Sequence, residues 1–387
     1  MNNFFVIILD GVGIGELPDS ADYGDAGSDT LCNIAKALGG LNLPYLQKMG
    51  LGNIKSIKGV KNQAHPLASF GKMKEISKGK DSTTGHWEIA GLFVDVDFSY
   101  YPEGFPEDIM NEFLLKTGCK GFLGNKPASG TEIIKELGEE HLKKSFPIVY
   151  TSADSVFQIA AHENVIPLDQ LYKICSITRN EVLKYPEMVG RVIARPFVGE
   201  PGNFQRTTNR KDFSLDPSGI TILDLLNENN IDTVAIGKVN DLFNYRGIKF
   251  REQTKSNKEG CEKLLAYSLK NKHSFIFANL VDFDVYFGHR NDPKGFAEKL
   301  EEFDNFLPEL LKNLDDSDRL IITADHGNDP TTESTDHSRE YVPLLFYSKK
   351  EAGKDLGIRE TFSDVGKTVA DYFNIENNLN GDSFLDE

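Results

Sequence analysis

The chain has 387 residues, 39% of them hydrophobic and 26% charged, with a formal net charge of −16. That length exceeds one ordinary core and implies two domains of a soluble globular protein. A surface this acidic repels nucleic acid and anionic lipid, which argues against both as partners, and any site for an anionic substrate must supply its own positive charge. The four cysteines, Cys32, Cys119, Cys175 and Cys261, form no CxxC pair, which argues against a zinc ribbon or a disulfide framework and for a cytoplasmic setting. No apolar run approaches a membrane span, so no membrane association is expected.

In chain order, the first element is a buried strand over residues 4–9. Its apolar run follows no basic segment and stops at Asp10, unlike a signal peptide. DGVGIGELPD then places glycines at 11, 13 and 15. A dinucleotide-binding loop would need glycine at 16, where Glu16 stands, and Pro18 sits where its helix should run. The glycines instead let the backbone pass close to Asp10. KDSTTGHWE, over 80–88, offers three adjacent hydroxyls in Ser82, Thr83 and Thr84. It reads equally as a capped polar loop or as a metal-activated nucleophile, and alone it decides nothing.

From about residue 98 to 216 the chain turns often, as in YYPEGFPED and ARPFVGEPGN. This stretch, 99–216, is expected to be an inserted second domain, with 1–98 and 217–387 forming one core. Further strands follow at 233–236, 274–280, 320–323 and 342–346, with helices at 257–269 and 297–314. The alternation predicts an α/β domain with a parallel sheet, assembled from both ends of the chain.

Three of these strands lead to Asp10, to Asp282, Asp284 and His289, and to Asp325 and His326, with His337 close behind. Ligands gather outside the carboxyl ends of parallel strands. Singly, each residue is more often a cap, a turn or a packing residue. As a set, mixed Asp and His groups suit Mn²⁺ or Zn²⁺ better than Ca²⁺ and suffice for two ions. Two ions about 3.5–4 Å apart can stabilise both oxygens of an in-line phosphoryl transfer.

DGVGIGELPDS, GKDSTTGHWEIAGL, NKPASGTEI, YTSADSVFQIAAHE, GRVIARPFVGEPGNF, NLVDFD, GHRNDP, ITADHGNDP and TDHSREYVPLL resemble, in order, the phosphopentomutase family. The resemblance covers essentially the whole chain. It implies an alkaline-phosphatase-like α/β core, a parallel-rich sheet flanked by helices, with a smaller inserted α+β cap domain. It implies interconversion of ribose or deoxyribose 1-phosphate and 5-phosphate, two Mn²⁺ ions, and a sugar bisphosphate primer such as glucose 1,6-bisphosphate. By that resemblance Asp10, Asp325 and His326 bind one ion, and Asp284, His289 and His337 the other. The nucleophile position falls on Ser82, where the family usually has threonine, with Thr83 as the alternative. Ser152 and Asp154 would lie near the sugar, Arg191 and Arg206 near the distal phosphate, and Lys238 would face the substrate from the core.

Overall fold

The computed structural model describes residues 2–95, 99, 101–152, 155–183, 189–270 and 273–386. The chain divides into two compact units, Met1–Asp95 with Pro217–Glu387, and Val96–Asp216.

The first unit is built on an eight-stranded sheet. Its order is Phe250–Glu252, Asp232–Ile236, Ser274–Leu280, Asn3–Leu9, Arg319–Thr323, Val342–Ser348, Ala68–Met73, Asp355–Arg359. The first five strands are parallel. NFFVIIL and SFIFANL are buried at every position, as expected for runs of β-branched and aromatic residues covered on both faces. Asn3–Leu9 lies between Ser274–Leu280 and Arg319–Thr323, pairing Leu9 with Leu280 and Ile8 with Thr323. Because the three strands end in register, the residues that follow them emerge side by side along one edge.

Val342–Ser348 is antiparallel to both of its neighbours, not parallel as the alternating pattern predicted. No helix intervenes between Arg319–Thr323 and Val342–Ser348, so the crossover that a parallel pair requires is missing. Ala68–Met73 and Asp355–Arg359 also join this sheet without an apolar run to announce them.

In the second unit, Leu123–Pro127, Ile148–Thr151, Val156–His162 and Arg191–Val198 are neighbours in that order. Gln205–Arg206 and Lys211–Ser214 both pair with the far side of Arg191–Val198. Side chains alternate between the two faces. Val149, Phe157, Val192 and Ala194 pack with Phe113, Leu171 and Ile174 of the helices Glu107–Thr117 and Leu168–Ile177. Ile148, Tyr150 and Phe197 pack with Ile133 and Ile134 of the helix Gly130–Lys144. Arg191, Ile193 and Arg195 alternate with Val192 and Ala194, and so stand on the Gly130–Lys144 face.

Candidate functional site

Asp10 follows Asn3–Leu9 directly, Asp284 lies just beyond Ser274–Leu280, and Asp325 and His326 lie just beyond Arg319–Thr323. All four are buried. One group of potential ligand atoms comes from Asp10, Asp325 and His326, and a second from Asp284, His326 and His337, each within 4.8 Å of one another. His326 belongs to both groups, so the two are contiguous. His289 adjoins the second, its Nε2 lying 3.2 Å from Oδ2 of Asp284.

The imidazoles are aimed by their other nitrogen. His326 Nδ1 donates to the Gly327 carbonyl at 3.0 Å, and His289 Nδ1 to the Thr335 carbonyl at 2.6 Å. Each Nε2 is thereby turned toward carboxylates, the arrangement that orients metal-ligating histidines. Asn279 donates to Asp10 at 3.0 Å and Asn328 to Asp284 at 2.6 Å. Gly11 takes φ +78°, and a Cβ there would stand 3.0 Å from Asn328 Cβ and 3.4 Å from Oδ1 of Asp284. The backbone passes the site this closely only without a side chain.

The donor set fits a divalent cation. Asp10 Oδ1, Asp325 Oδ2 and His337 Nε2 are buried without a hydrogen-bond partner among the described residues. Yet His326 Nε2 stands 3.3 Å from Asp10 Oδ1 and 3.5 Å from Asp325 Oδ2, and His337 Nε2 3.3 Å from Asp284 Oδ1. Atoms that converge without pairing are what a cation between them requires. The electrostatics agree in sign. Burial opposes charge on His326, but the Asp325 and Asp10 carboxylates outweigh it and hold its pKa well above the usual value. Burial likewise opposes ionisation of Asp284 and Asp325. His289 and His337 keep Asp284 well below the carboxylate range, and His326 and His86 bring Asp325 to about 2.

Ser82 opens the helix Ser82–Ile89. Asp81 caps it, accepting from the Thr83 and Thr84 amides at 2.8 and 3.3 Å, and Thr84 returns a bond to complete the capping box. Ser82 Oγ lies 3.2 Å from His326 Nε2, at a helix N-terminus that favours negative charge. Gly85 permits this approach, because a Cβ there would stand 2.1 Å from the Asp325 carbonyl oxygen. The Thr84 hydroxyl donates to Asp81 instead, at 3.1 Å.

Of the other expected site residues in the first unit, Lys238 Nζ lies 3.9 Å from Oδ2 of Asp10. In the second unit, Ser152 and Arg191 line a cavity of about 360 Å³, and Arg206 lines an adjoining one of about 600 Å³. Arg195 and Arg210 line both. Asp154 lies outside the described residues.

A family model described as the Metalloenzyme superfamily matches residues 2–377. The chain is 59% identical to a phosphopentomutase of Dictyoglomus thermophilum, over 100% of this chain and 98% of that protein. The chain belongs to the phosphopentomutase family. It is also 56% identical to a phosphopentomutase of Clostridium acetobutylicum, over 98% of this chain and 97% of that protein. Among solved structures, the PH0037 protein from Pyrococcus horikoshii aligns over 98% of this chain and 99% of its own, with a TM-score of 0.50 and 18% identity. The fold is the alkaline-phosphatase-like α/β fold with a parallel-rich sheet, common to this family and its structural neighbours.

Several residues of this phosphopentomutase-family site escaped the sequence analysis. His86 Nδ1 lies 2.8 Å from the Ser82 carbonyl and 3.1 Å from Oδ2 of Asp325. Arg339 is buried and donates to the Ser77 and Gly79 carbonyls at 2.6 and 2.8 Å and to Glu75 at 2.9 Å. Glu340 accepts from the Gly15 and Thr30 amides and from the Thr30 and Ser338 hydroxyls. Asn279 and Asn328 each stand within two residues of a strand end or a ligand motif, which was the one signal available for them.

Proposed function

We propose that this chain is a two-metal phosphopentomutase that interconverts the 1-phosphate and 5-phosphate of ribose or deoxyribose. Full-length kinship to phosphopentomutases carries this reading, and the Ser82 hydroxyl poised 3.2 Å from His326 supports it. Asp10, Asp325 and His326 would hold one ion and Asp284, His289 and His337 the other; the Asp and His donors suit Mn²⁺. Bound there, divalent cations offset the charge on phosphoryl oxygens and lower the pKa of a nearby hydroxyl.

Ser82 Oγ carries the transferred phosphoryl group. As phosphoserine it yields that group to the free hydroxyl of a pentose monophosphate, and Ser82 regains its proton as a 1,5-bisphosphate forms. The sugar reorients, its other phosphate is transferred to Ser82 Oγ, and the isomeric monophosphate leaves. The N-terminus of Ser82–Ile89 favours the anionic phosphoserine. Burial of Ser82 slows attack by water, which is what separates a mutase from a hydrolase. Ser152 and Asp154 would lie near the sugar, Arg191 and Arg206 near its distal phosphate, and Lys238 would face the substrate from the core. The arginines meet the demand for local positive charge set by a net charge of −16. A sugar bisphosphate such as glucose 1,6-bisphosphate would load Ser82 initially.

The test is a product analysis of ribose 1-phosphate incubated with the Mn²⁺-loaded protein and glucose 1,6-bisphosphate. Ribose 5-phosphate with little free phosphate is expected. Free ribose and inorganic phosphate would make the chain a hydrolase instead.

A further inference from the structure

One buried carboxylate, Glu340, joins separate segments of the first unit. It accepts from the amides of Gly15 and Thr30 at 3.1 and 2.9 Å and from the hydroxyls of Thr30 and Ser338 at 2.7 Å each. All four of these donors are neutral, and burial pushes the Glu340 pKa up to about 7 against them. The carboxylate lies against two glycine backbones. A Cβ on Gly13 would overlap Oε2, and one on Gly327 would stand 2.5 Å from Oε1. Gly327 directly follows His326 and exchanges backbone hydrogen bonds with Ser338, which directly follows His337.

From Glu340 a chain of hydrogen bonds runs to Asp284. The Thr30 hydroxyl donates to Oε1 of Glu340 and accepts from the Asn328 backbone amide at 3.2 Å. Asn328 Nδ2 then donates to Oδ1 of Asp284 at 2.6 Å. All four residues are buried. The Asn328 side chain has little room to turn, because a Cβ on Gly288 would stand 2.5 Å from its Cγ and one on Gly11 3.0 Å from its Cβ. Gly288 precedes His289 and Gly11 follows Asp10, so Asn328 is wedged between backbones that carry a proposed ligand of each ion.

The chain does more than fasten the fold. Thr30 opens the helix Thr30–Leu38, whose N-cap Asp29 makes no side-chain bond to it. The Thr30 amide alone ties that helix end to Glu340. The hydroxyl is additional: with its proton committed to Glu340, its oxygen is left to accept from Asn328. Groups that hold a metal-ligating carboxylate in this way set its orientation and its affinity for the ion.

We propose that Thr30 is a positioning residue for the ion assigned above to Asp284, His289 and His337, its hydroxyl fixing Asn328 and through it the Asp284 carboxylate. The proposal rests on that two-metal reading.

The test is Mn²⁺ calorimetry on the full-length protein stripped of divalent metal, with the Asp284 position identified as the one that His289→Ala weakens. Thr30→Val keeps the branched shape and drops the hydroxyl. It should weaken that position by about ten- to a hundredfold and leave the other unchanged. Thr30→Ser, which restores the hydroxyl, should recover most of the affinity. Asn328→Ala leaves Glu340 and Thr30 paired and should reproduce the loss at the same position. Thr30→Val should add little to it in the double variant, because both changes cut one chain. Equal losses at both positions, in step with lower metal-free stability in urea, would make the network a brace of the fold alone and overturn the proposal. Additive losses in the double variant would overturn it too. Wild-type protein that binds fewer than two Mn²⁺ overturns the two-metal reading and this proposal with it, whereas two ions bound by Thr30→Val as tightly as by wild type overturn this proposal only.

Discussion

The Ser82 hydroxyl oxygen lies 3.2 Å from Nε2 of His326, and that nitrogen also stands 3.3 Å from Oδ1 of Asp10. The Thr84 hydroxyl is held by Asp81 instead, and the bond from Thr83 to Asp81 is made by its backbone amide. Ser82→Ala is expected to lower mutase turnover on the order of a thousandfold or more while metal content stays unchanged. Ser82→Thr should retain activity and Thr83→Ala should stay near wild type. Steady-state kinetics with metal analysis checks all three, and wild-type turnover by Ser82→Ala would move the nucleophile elsewhere.

Metal loading should release protons. His326 and His289 both have raised pKa values in the metal-free protein, His326 from Asp325 and Asp10 and His289 from its bond to Asp284. A proton and a metal ion compete for the same nitrogen. Mn²⁺ affinity should therefore fall as pH falls, and calorimetry in buffers of different ionisation enthalpy should record net proton release. With His326 proposed on one ion and His289 on the other, His326→Ala and His289→Ala should each weaken a different site. Counting bound Mn²⁺ in each variant distinguishes the two patterns.

Arg339 ties the loop that leads into Ser82. Its guanidinium and the Glu75 carboxylate are both nearly inaccessible, and it also holds the Ser77 and Gly79 carbonyls. Arg339→Met leaves Glu75 buried without its cation, where burial and Glu88 already raise its pKa. Loss of about 3–5 kcal/mol in urea unfolding is expected. Arg339→Lys should recover part of that stability but less of the turnover, since an ammonium cannot span so many acceptors at once.

Acid should weaken the second unit through His141. Burial lowers the pKa of this histidine, whose Nδ1 donates to the Phe146 carbonyl and whose Nε2 accepts from the His162 amide. The folded pKa lies below the unfolded one, so the unfolded state takes up the proton first. Its contribution is complete above an unfolded pKa of about 6.5 and declines as pH drops toward the folded value. Thermal unfolding from pH 7.5 to 5 should show this loss, and His141→Gln should flatten the slope. An unchanged slope in the variant would place the acid sensitivity on other groups.

The central strands were legible because continuous apolar runs have few alternatives to burial, and an abrupt polar residue marks where such a run stops. Asp10 after NFFVIIL is the plainest case. Ala68–Met73 was not legible, for ASFGKM is neither alternating nor continuous and is stabilised by neighbours far away in sequence. The direction of Val342–Ser348 depends on the path of its connection, which local composition does not encode. Arg339 and Glu340 looked like ordinary charged residues after His337. Their roles arise from partners 260 or more residues away, such as Gly79 and Thr30, and no local spacing records such contacts.

The first unit is made from two stretches of chain separated by the whole of the second. Asn3–Leu9 finds its partners at Ser274–Leu280 and Arg319–Thr323, so during synthesis it must wait for most of the protein to be made. The second unit is one continuous segment and can fold as soon as it leaves the ribosome. For that interval NFFVIIL is an unpaired, strongly β-forming stretch of the nascent chain. Chaperone dependence and yield on overexpression should therefore track this heptapeptide more than any residue of the catalytic site.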